Sequence, residues 1–340
     1  MSPRPLYEAA PSSGDAVEVA DGVLWMRIAL PMALDHVNVY ALADPDGWTV
    51  VDTGFDKPRT REEWQALLSG PLSGKPVARV LATHYHPDHI GLAGWFQAQG
   101  AELLTTRTSW LYARMLVLDR HETHAPQTLA HWRMAGMDAE IHARRLAERP
   151  YNFADGVHPL PLGYSRLFEG QTLRLGGRDW LVRMGDGHAP EHATLWSLSD
   201  DLVIGGDQFL PKISPVIGVY ATEPAADPLG EWLESCARFL NHAEDRHRVL
   251  PGHKVPFAGL PSRLQQMIDH HEGALDKLLA HLDRPRVACD CFAALFTRRI
   301  GPEMYGFAMS EALAHLNHLL TRGLVRKIPG PEGAVLWQAI

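Results

Sequence analysis

Residues 83–94 read THYHPDHIGLAG and place three histidines and one aspartate within six positions, directly after an apolar run. His84 and His86 are two residues apart on an extended chain, so their imidazoles are predicted to point to the same side. The proline that follows ends the strand and turns the backbone, which brings Asp88 and His89 toward the same space. Imidazole and carboxylate groups are the ligands that zinc and related divalent ions prefer. The stretch therefore predicts a metal site at the end of a strand rather than a solvated polar turn.

Further candidate ligands follow other apolar runs of the chain. His188 stands in GDGHAPEH, Asp207 in IGGDQF and His253 in LPGHKVP. Glycines and prolines flank each of them and allow the backbone to turn tightly. Each residue alone is compatible with an ordinary turn. Together, and in this order, they predict that several strand ends contribute to one metal site.

The composition is that of an ordinary globular protein. The chain has 340 residues, a formal charge of −8, 46% apolar residues and 21% charged residues, which suits one large domain with an appendage, or two domains. The acidic balance gives no general attraction to nucleic acid or anionic lipid. No apolar stretch has the length of a membrane span, and the first residues lack the apolar core of a signal peptide. We therefore predict a cytoplasmic protein with no membrane partner.

The chain contains three cysteines, Cys236, Cys289 and Cys291, an odd number that cannot form a disulfide framework. This usage suits a reducing compartment. Cys289 and Cys291 could supply two of the four ligands of a structural zinc site, but the sequence contains no second pair of cysteines to complete it. We expect ordinary buried thiols in a helix.

Hydrophobic periodicity and turn residues predict an alternation of strands and helices. The first strands, 22–28, 37–42 and 48–52, are separated by turn residues and are expected to form antiparallel hairpins. Asp88 to Gln99 is predicted to be one helix, because an aspartate suits its start and a glycine follows its end. Further helices are predicted at 60–68, within the helix-rich stretch 108–149, at 230–240 and at 262–282, and further strands at 79–82, 171–175, 180–184, 193–198 and 202–205.

Near its C-terminus the chain is predicted to form two helices, 289–299 and 310–322, followed by a hairpin. Helix, helix, hairpin is the order of a winged-helix module. We therefore divide the chain into a catalytic domain, 1–260, and a linker helix with a winged-helix-like domain, 261–340. A helix-rich insertion at about 108–165 interrupts the catalytic domain.

The ordered histidines and aspartates, preceded by TVVDTG at 49–54, resemble the motif pattern of the metallo-β-lactamase superfamily of metal-dependent hydrolases. The resemblance covers residues 18–258 and implies an α+β fold class, with an αββα sandwich of two mixed sheets and metals along one edge. By resemblance the first metal would be held by His84, His86 and His188. The second would be held by Asp88, His89 and His253, with Asp207 bridging both.

The resemblance also implies a mechanism. A hydroxide held between two metals would attack the carbonyl of a thioester, a lactone or a related ester. Asp88 and Asp207 are then the catalytic carboxylates, since Asp88 would orient the hydroxide and carry a proton while Asp207 joins the metals. The ligand set contains no cysteine and favours two Zn²⁺, with Fe or Mn as the alternative. Asp52 would orient the metal-bearing loops, or would simply form a turn.

The same pattern of histidines and aspartates is compatible with two other activities. The superfamily also contains nucleases, and the C-terminal module would then contact RNA or DNA. Its second helix, 310–322, is less basic than a helix that reads nucleic acid. An iron-dependent sulfur dioxygenase shares much of the same ligand set. Flavin-dependent di-iron relatives typically carry a glutamate where this chain has His86, which argues against oxygen reduction.

Substrate choice depends on the segments that flank the ligands. The stretch from Thr108 to Tyr164 is rich in Trp, Met and Leu, as expected of a cap over an acyl-bearing small molecule, and an extra core layer or a homodimer contact is the alternative. Ala189–Glu191 replaces the Thr-Pro-Gly that the family often shows after the ligand histidine, and brings a carboxylate near the mouth of the site. The predicted partner is a small-molecule acyl substrate rather than nucleic acid.

Overall fold

The structure is a computed structural model that describes residues 2–32 and 34–340 of the chain. Its strands, in chain order, are β1 (Arg4–Pro5), β2 (Val17–Ala20), β3 (Val23–Ala29), β4 (His36–Asp44), β5 (Gly47–Val51), β6 (Val77–Leu81), β7 (Glu102–Thr106), β8 (Ser165–Leu167), β9 (Thr172–Leu175), β10 (Arg178–Gly185), β11 (His192–Ser197), β12 (Leu202–Gly206), β13 (Arg248–Pro251), β14 (Phe257–Ala258), β15 (Val325–Pro329) and β16 (Val335–Ala339). Its helices are α1 (Pro58–Ser69), α2 (Pro87–Ile90), α3 (Ala93–Gln97), α4 (Arg107–Leu118), α5 (Pro126–Met134), α6 (Ala139–Ala147), α7 (Pro228–Leu240), α8 (Leu260–His281), α9 (Phe292–Leu295) and α10 (Tyr305–Thr321), and short 3₁₀ helices lie at Phe153–Asp155, Ala288–Cys291 and Pro331–Gly333.

The chain divides into two units, and the first contains both large sheets. The first unit consists of the residues up to Arg120 together with Asn152–Pro215 and Asn241–Leu264, and the second of His121–Tyr151, Val216–Leu240 and Gln265–Ile340. The helix-rich stretch predicted from residue 108 is divided between them, because α4 belongs to the first unit while α5 and α6 belong to the second.

The first sheet of the first unit has the order β2-β3-β4-β5-β6-β7-β8. Strands β2 to β5 pair antiparallel, and the hairpins predicted for β3, β4 and β5 are confirmed. Strands β5 to β8 pair parallel, because α1 and then α2 and α3 carry the chain back between successive strands. The parallel pairing places the C-terminal ends of β5 and β6 side by side, with Val51 opposite Leu81.

The second sheet has the order β1-β14-β13-β12-β11-β10-β9. Strands β12 and β13 are parallel, with Gly206 opposite Pro251, and β10 and β11 form a hairpin in which Gly185 pairs with His192. Since β10 and β12 both run antiparallel to β11, the C-terminal ends of β10, β12 and β13 lie at the same edge. His188, Asp207 and His253 follow these three ends.

Burial on both faces explains why β3 of the first sheet carries apolar residues almost continuously. In β3, Val23 and Trp25 belong to the core between the two sheets, whereas Met26 and Ile28 belong to a cluster that also contains Trp64 of α1. The two clusters alternate along the strand because successive side chains point to opposite faces. The predicted α+β class and the sandwich of two mixed sheets are confirmed.

The second unit consists mainly of helices and of the hairpin formed by β15 and β16. Helix α10 contributes much of its core, including the buried Leu316, and His318 Nδ1 on the same helix lies 3.0 Å from the carboxylate of Asp227. The predicted order of helix, helix and hairpin is present at the C-terminus. Its identity as a winged helix stays a prediction.

The helix predicted over Asp88–Gln99 is wrong as a single element, because α2 and α3 are separate. The carbonyl oxygens of Asp88 and His89 accept hydrogen bonds of 3.1 and 2.8 Å from backbone N–H groups of the turn after β5. The N–H of Leu92 donates to Thr53 Oγ1 at 3.0 Å. The groups that would extend α2 by another turn therefore bond elsewhere, and the helix ends.

The helix predicted over 289–299 is also shorter than expected. A 3₁₀ turn leads into α9, which ends at Leu295 because Phe296 adopts an extended backbone with φ −117° and ψ 131°. Helix α10 begins at Tyr305, earlier than the predicted start at Ser310. Among the described residues, no helix combines the length and the apolar character needed to cross a bilayer.

The cysteines have the environment expected of structural thiols. Cys236 and Cys291 are buried and Cys289 is half-buried, and none of the three belongs to a disulfide. Burial raises the pKa of the Cys289 and Cys291 thiols to about 12. Thiols of this kind are protonated at neutral pH and are poor metal ligands.

Candidate metal centre

Three imidazole nitrogens meet where strands of both sheets end. His84 Nε2 lies 3.0 Å from His86 Nδ1, and His86 Nδ1 lies 3.1 Å from His188 Nε2. His84 and His86 follow β6 of the first sheet, whereas His188 lies in the connection between β10 and β11 of the second. The donor atoms of all three lie within 4.8 Å of one another.

The other four predicted ligands surround an adjacent position. The Nε2 atoms of His89 and His253 lie 3.5 and 3.4 Å from Asp207 Oδ2 and 3.6 and 3.4 Å from Asp88 Oδ2. Asp207 Oδ2 also lies 3.4 Å from His188 Nε2. Asp207 therefore stands between the two groups of donors, and the fold brings all seven predicted residues together.

Asp52, the residue after β5, holds one histidine of each group in place. Its Oδ2 lies 2.8 Å from His89 Nδ1, and its Oδ1 accepts from the backbone N–H of Thr83 at 2.8 Å. The Thr83 hydroxyl donates to the same carboxylate at 2.9 Å and lies 3.1 Å from His84 Nδ1. Because a carboxylate only accepts, His89 Nδ1 carries the proton, and the Thr83 oxygen likewise accepts from His84 Nδ1. Both rings therefore turn Nε2 toward the site.

Two further contacts position the remaining groups. His253 Nδ1 lies 2.9 Å from the carbonyl oxygen of His36, which leaves Nε2 of this ring for the site. His192 Nε2 accepts from the backbone N–H of Asp207 at 3.1 Å. Burial and then neighbouring imidazoles lower the pKa of His192 to about 3, so the ring stays neutral and can accept. His192 thus positions Asp207, and its Nε2 is already used.

The neighbouring histidines keep the carboxylates ionised, and burial keeps His84 and His86 neutral. Burial alone would raise the pKa of Asp88, but His89 and its neighbours outweigh this and lower the pKa to about 2. The site histidines likewise hold the pKa of Asp207 well below its usual range. Burial lowers the pKa of His84 and His86 well below the ordinary value. These two rings therefore offer lone pairs at neutral pH.

The donor set fits divalent cations. The carboxylates raise the pKa of His253 to about 10 and that of His89 well above its ordinary value, although burial alone would lower both, so the cluster attracts positive charge. His89 Nε2 and Asp207 Oδ1 are buried without a hydrogen-bond partner among the described residues. Two donors bound tetrahedrally to one zinc ion lie about 3.3 Å apart, which is close to the observed separations of 3.0 to 3.6 Å.

Two glycines permit the close approach of these side chains. Gly206 has φ +49°, and a Cβ at this position would lie 2.6 Å from His192 Cε1. At Gly252 a Cβ would lie 2.2 Å from Asp207 Oδ1. The glycines that precede Asp207 and His253 in the sequence are therefore required by the packing of the site.

The carboxylate of Glu191, expected near the mouth of the site, is bound to a helix. Its Oε2 accepts from the backbone N–H of Thr108 at 2.8 Å, in the first turn of α4. A negative charge is favourable at this end of a helix dipole. Arg166 lies 4.0 Å from the other oxygen. Glu191 thereby anchors the loop that carries His188.

An aromatic cluster lies beside the first group of histidines. The Tyr85 ring lies 4.6 Å from the His86 ring, 5.1 Å from the Tyr112 ring and 6.2 Å from the Phe153 ring, measured between centroids. All three aromatic residues are half-buried. They place apolar surface next to a predicted metal ligand.

Comparisons with known proteins agree with this fold. The family model of the metallo-β-lactamase superfamily matches residues 32–253, and the model of the metallo-β-lactamase-like C-terminal domain matches residues 275–340. The solved structure of a β-lactamase domain protein from Burkholderia ambifaria is 34% identical, with a TM-score of 0.91 over 99% of this chain and 97% of that one. A metallo-β-lactamase family protein from Thermus thermophilus is 26% identical, with a TM-score of 0.80 over 95% of this chain and 100% of that one.

A relative in sequence carries a similar description. The probable metallo-hydrolase YqjP of Bacillus subtilis is 25% identical over 310 residues, which cover 88% of this chain and 92% of the relative. The first family model alone matches more than half of the chain. The chain therefore belongs to the metallo-β-lactamase superfamily and is a hydrolase of that superfamily.

Proposed function

We propose that the chain is a dinuclear metal-dependent hydrolase of thioesters, lactones or related carboxylic esters. The observation that carries the proposal is the position of Asp207 Oδ2, which lies within 3.5 Å of a histidine nitrogen of each ligand group. We assign His84, His86 and His188 to one ion and Asp88, His89 and His253 to the other, with Asp207 shared. A donor set dominated by imidazoles suits Zn²⁺, with Fe or Mn as the alternative.

The chain's own residues then position water and move a proton. Divalent ions held there would supply Lewis acidity and lower the pKa of water, so no serine or cysteine nucleophile is needed. The Asp88 side chain is 16% exposed, against 8% for Asp207 and 3% for Asp52. With a pKa of about 2, Asp88 is ionised at neutral pH and can orient water by accepting a hydrogen bond from it. Its carboxylate would pass a proton of the metal-activated water on to the departing thiolate or alkoxide.

The aromatic cluster of Tyr85, Tyr112 and Phe153 supports an acyl substrate. Half-buried rings next to His86 offer a surface on which an acyl chain can pack. The net charge of −8 disfavours a polyanionic nucleic acid as substrate. A small acyl ester therefore suits this surface better than RNA or DNA does.

The test is a substrate panel with protein whose metal content has been measured by mass spectrometry. The panel contains acyl-CoA thioesters, aliphatic lactones, a short RNA and glutathione persulfide. Oxygen uptake with the persulfide is followed with an oxygen electrode. We expect turnover of at least one thioester or lactone that is lost with a chelator and restored by Zn²⁺. Cleavage of RNA with inert esters, or oxygen uptake with the persulfide, would overturn the proposal in favour of a nuclease or a dioxygenase.

A pair of histidine variants separates the site from general effects on the fold. His86→Ala removes one ligand and should lower both metal content and kcat/KM, the latter by more than about 100-fold. His270→Ala changes an exposed histidine of α8 and should leave both unchanged. Wild-type metal content and turnover in His86→Ala would show that the ligand assignment is wrong.

A further inference from the structure

The second unit contains a cavity of about 190 Å³ that has three arginines in its wall. Arg144 and Arg145 come from the last turn of α6, and Arg149 follows that helix. Glu148 and Glu303 also line the cavity. Three guanidinium groups around one small space concentrate positive charge locally, although the net charge of the whole chain is −8. The ligands of the metal centre take no part in this cavity.

Arg145 differs from the other two arginines in its partners. Arg144 Nε lies 3.4 Å from a carboxylate oxygen of Glu148, and Arg149 Nε lies 3.5 Å from one of Glu122. Among the described residues, no carboxylate forms an ion pair with Arg145. Its guanidinium carbon lies instead 5.4 Å from the centre of the Trp132 ring. Its N–H groups are thus left for a ligand.

The surroundings hold the Arg145 guanidinium in one place. A Cβ at Gly306 would lie 2.9 Å from Arg145 Nη2, so the guanidinium packs against the backbone of α10 where a side chain is missing. His124 Nε2 lies 3.0 Å from the carbonyl oxygen of Arg145 and ties down the backbone that carries it. Burial and then Arg144 lower the pKa of Arg145. A bound anion would relieve this cost of keeping the guanidinium charged.

We propose that this cavity binds the phosphate or pyrophosphate group of a small metabolite, with Arg145 as the main contact. The planar fork of an arginine matches phosphate oxygens with two parallel hydrogen bonds. A volume of about 190 Å³ is below the roughly 300 Å³ at which pockets begin to enclose a drug-sized ligand. The cavity is therefore large enough for only one small group, and its arginines favour a negatively charged one. The rest of the metabolite would lie outside the cavity. The proposal does not depend on the reaction at the metal centre.

The direct test is calorimetric titration of the full-length, metal-loaded chain with pyrophosphate and with inorganic phosphate. We expect saturable binding that Arg145→Gln weakens about tenfold or more, since a charge-assisted pair is lost. Arg133→Gln changes an exposed arginine of α5 that does not line the cavity and should weaken binding less than twofold. Absence of saturable binding, or equal affinity of wild type and Arg145→Gln, would overturn the proposal; the second result would place any bound phosphate at the metals.

A second variant leaves the charge unchanged. Gly306→Ala places a methyl group against Arg145 Nη2 and should weaken pyrophosphate binding several-fold while α10 remains folded. Circular dichroism and the thermal midpoint of each variant show whether the second unit is intact. Wild-type affinity in an intact Gly306→Ala variant would contradict the placement of the guanidinium.

Two KM measurements distinguish a phosphate group that belongs to the substrate from one that belongs to a separate metabolite. If the group belongs to the substrate, Arg145→Gln should raise KM for a coenzyme A thioester but not for the matching N-acetylcysteamine thioester, which has no phosphate. If it belongs to a separate metabolite, both KM values stay unchanged and only the binding of pyrophosphate falls. Either pattern supports the site.

Discussion

Asp52→Asn is the substitution that most directly tests how the metal centre is held. Asparagine accepts the left-handed backbone of this position, where φ is 60°. Its oxygen can still accept from the N–H of Thr83, but its NH₂ group then replaces Oδ2, which lies 2.8 Å from His89 Nδ1. A donor at this place requires His89 Nδ1 to accept. The remaining proton of the ring then moves to Nε2, the atom that faces Asp88 and Asp207.

The expected magnitude follows from the two paths by which Asp52 acts. Loss of the partner of a metal-binding histidine typically lowers metal affinity about 10- to 100-fold, which corresponds to about 1.4–2.8 kcal/mol. The contact with His89 is direct, whereas His84 is reached only through the Thr83 hydroxyl. We therefore expect about a 100-fold loss for the ion assigned to His89 and about a tenfold loss for the ion assigned to His84.

The assay is competition for Zn²⁺ against a chelating dye, which yields both dissociation constants. Asp44→Asn is the matched control, because Asp44 is also a buried aspartate of the first unit. It accepts from Thr49 Oγ1 at 2.8 Å and from the N–H of Gly176 at 2.7 Å, and it touches no predicted ligand. The control should lose stability but keep its metal affinity. Equal zinc affinities in the two variants would refute the role given to Asp52.

Gly206→Ala should lower the free energy of unfolding about 2 kcal/mol more than Gly177→Ala. Both glycines have positive φ, but a Cβ at Gly206 meets His192 at 2.6 Å whereas at Gly177 it meets none of the described atoms within 4 Å; urea denaturation measures the difference, and equal losses would contradict it. Burial raises the pKa of Glu311 from 4.5 to about 7, so the wild type loses up to about 3 kcal/mol of stability as the pH rises from 4.5 through 7. Glu311→Gln should therefore have a higher denaturation midpoint than the wild type at pH 8 but not at pH 5, and the same difference at both would exclude this titration. Removal of metal with a chelator should lower the thermal midpoint, because only the folded chain presents the whole ligand set; calorimetry with and without added Zn²⁺ checks this, and an unchanged midpoint would argue against bound metal.

The candidate ligands could be predicted because each follows an apolar strand and stands among residues that turn the chain. His84 follows β6, His188 follows β10 and Asp207 follows β12. A strand is recognised in the sequence by a run of apolar residues, and its end by a glycine or proline that follows the run. Few residue types bind divalent ions, so histidine or aspartate at four such strand ends leaves few alternatives to a metal site.

The resemblance implied a supporting role for Asp52, but the contacts that hold the ligands in place could not be predicted in this way. Asp52 bonds to Thr83 and His89, which are 31 and 37 residues away, and His253 bonds to a carbonyl group 217 residues away. Such pairs arise from the parallel register of β5 and β6 and from the meeting of the two sheets, neither of which leaves a local pattern. The break between α2 and α3 has the same origin, since Thr53 takes the N–H of Leu92. Local periodicity predicts elements, but the hydrogen bonds of distant turns decide where a helix ends.

The two interpretations of Asp52, as a turn residue and as a support for the metal ligands, describe the same feature. Its left-handed backbone is what turns the carboxylate back toward β6, and a similar conformation recurs beside two of the predicted ligands. Glu191 has φ 50° in the loop of His188, and Lys254 has φ 69° directly after His253. For a residue other than glycine such a conformation costs on the order of 1 kcal/mol or more and persists only where the surrounding structure imposes it. Strain at Asp52 and beside the predicted ligands His188 and His253 indicates that the candidate donors are held in position by the fold before any ion binds, which is the arrangement that a hydrolytic metal centre requires.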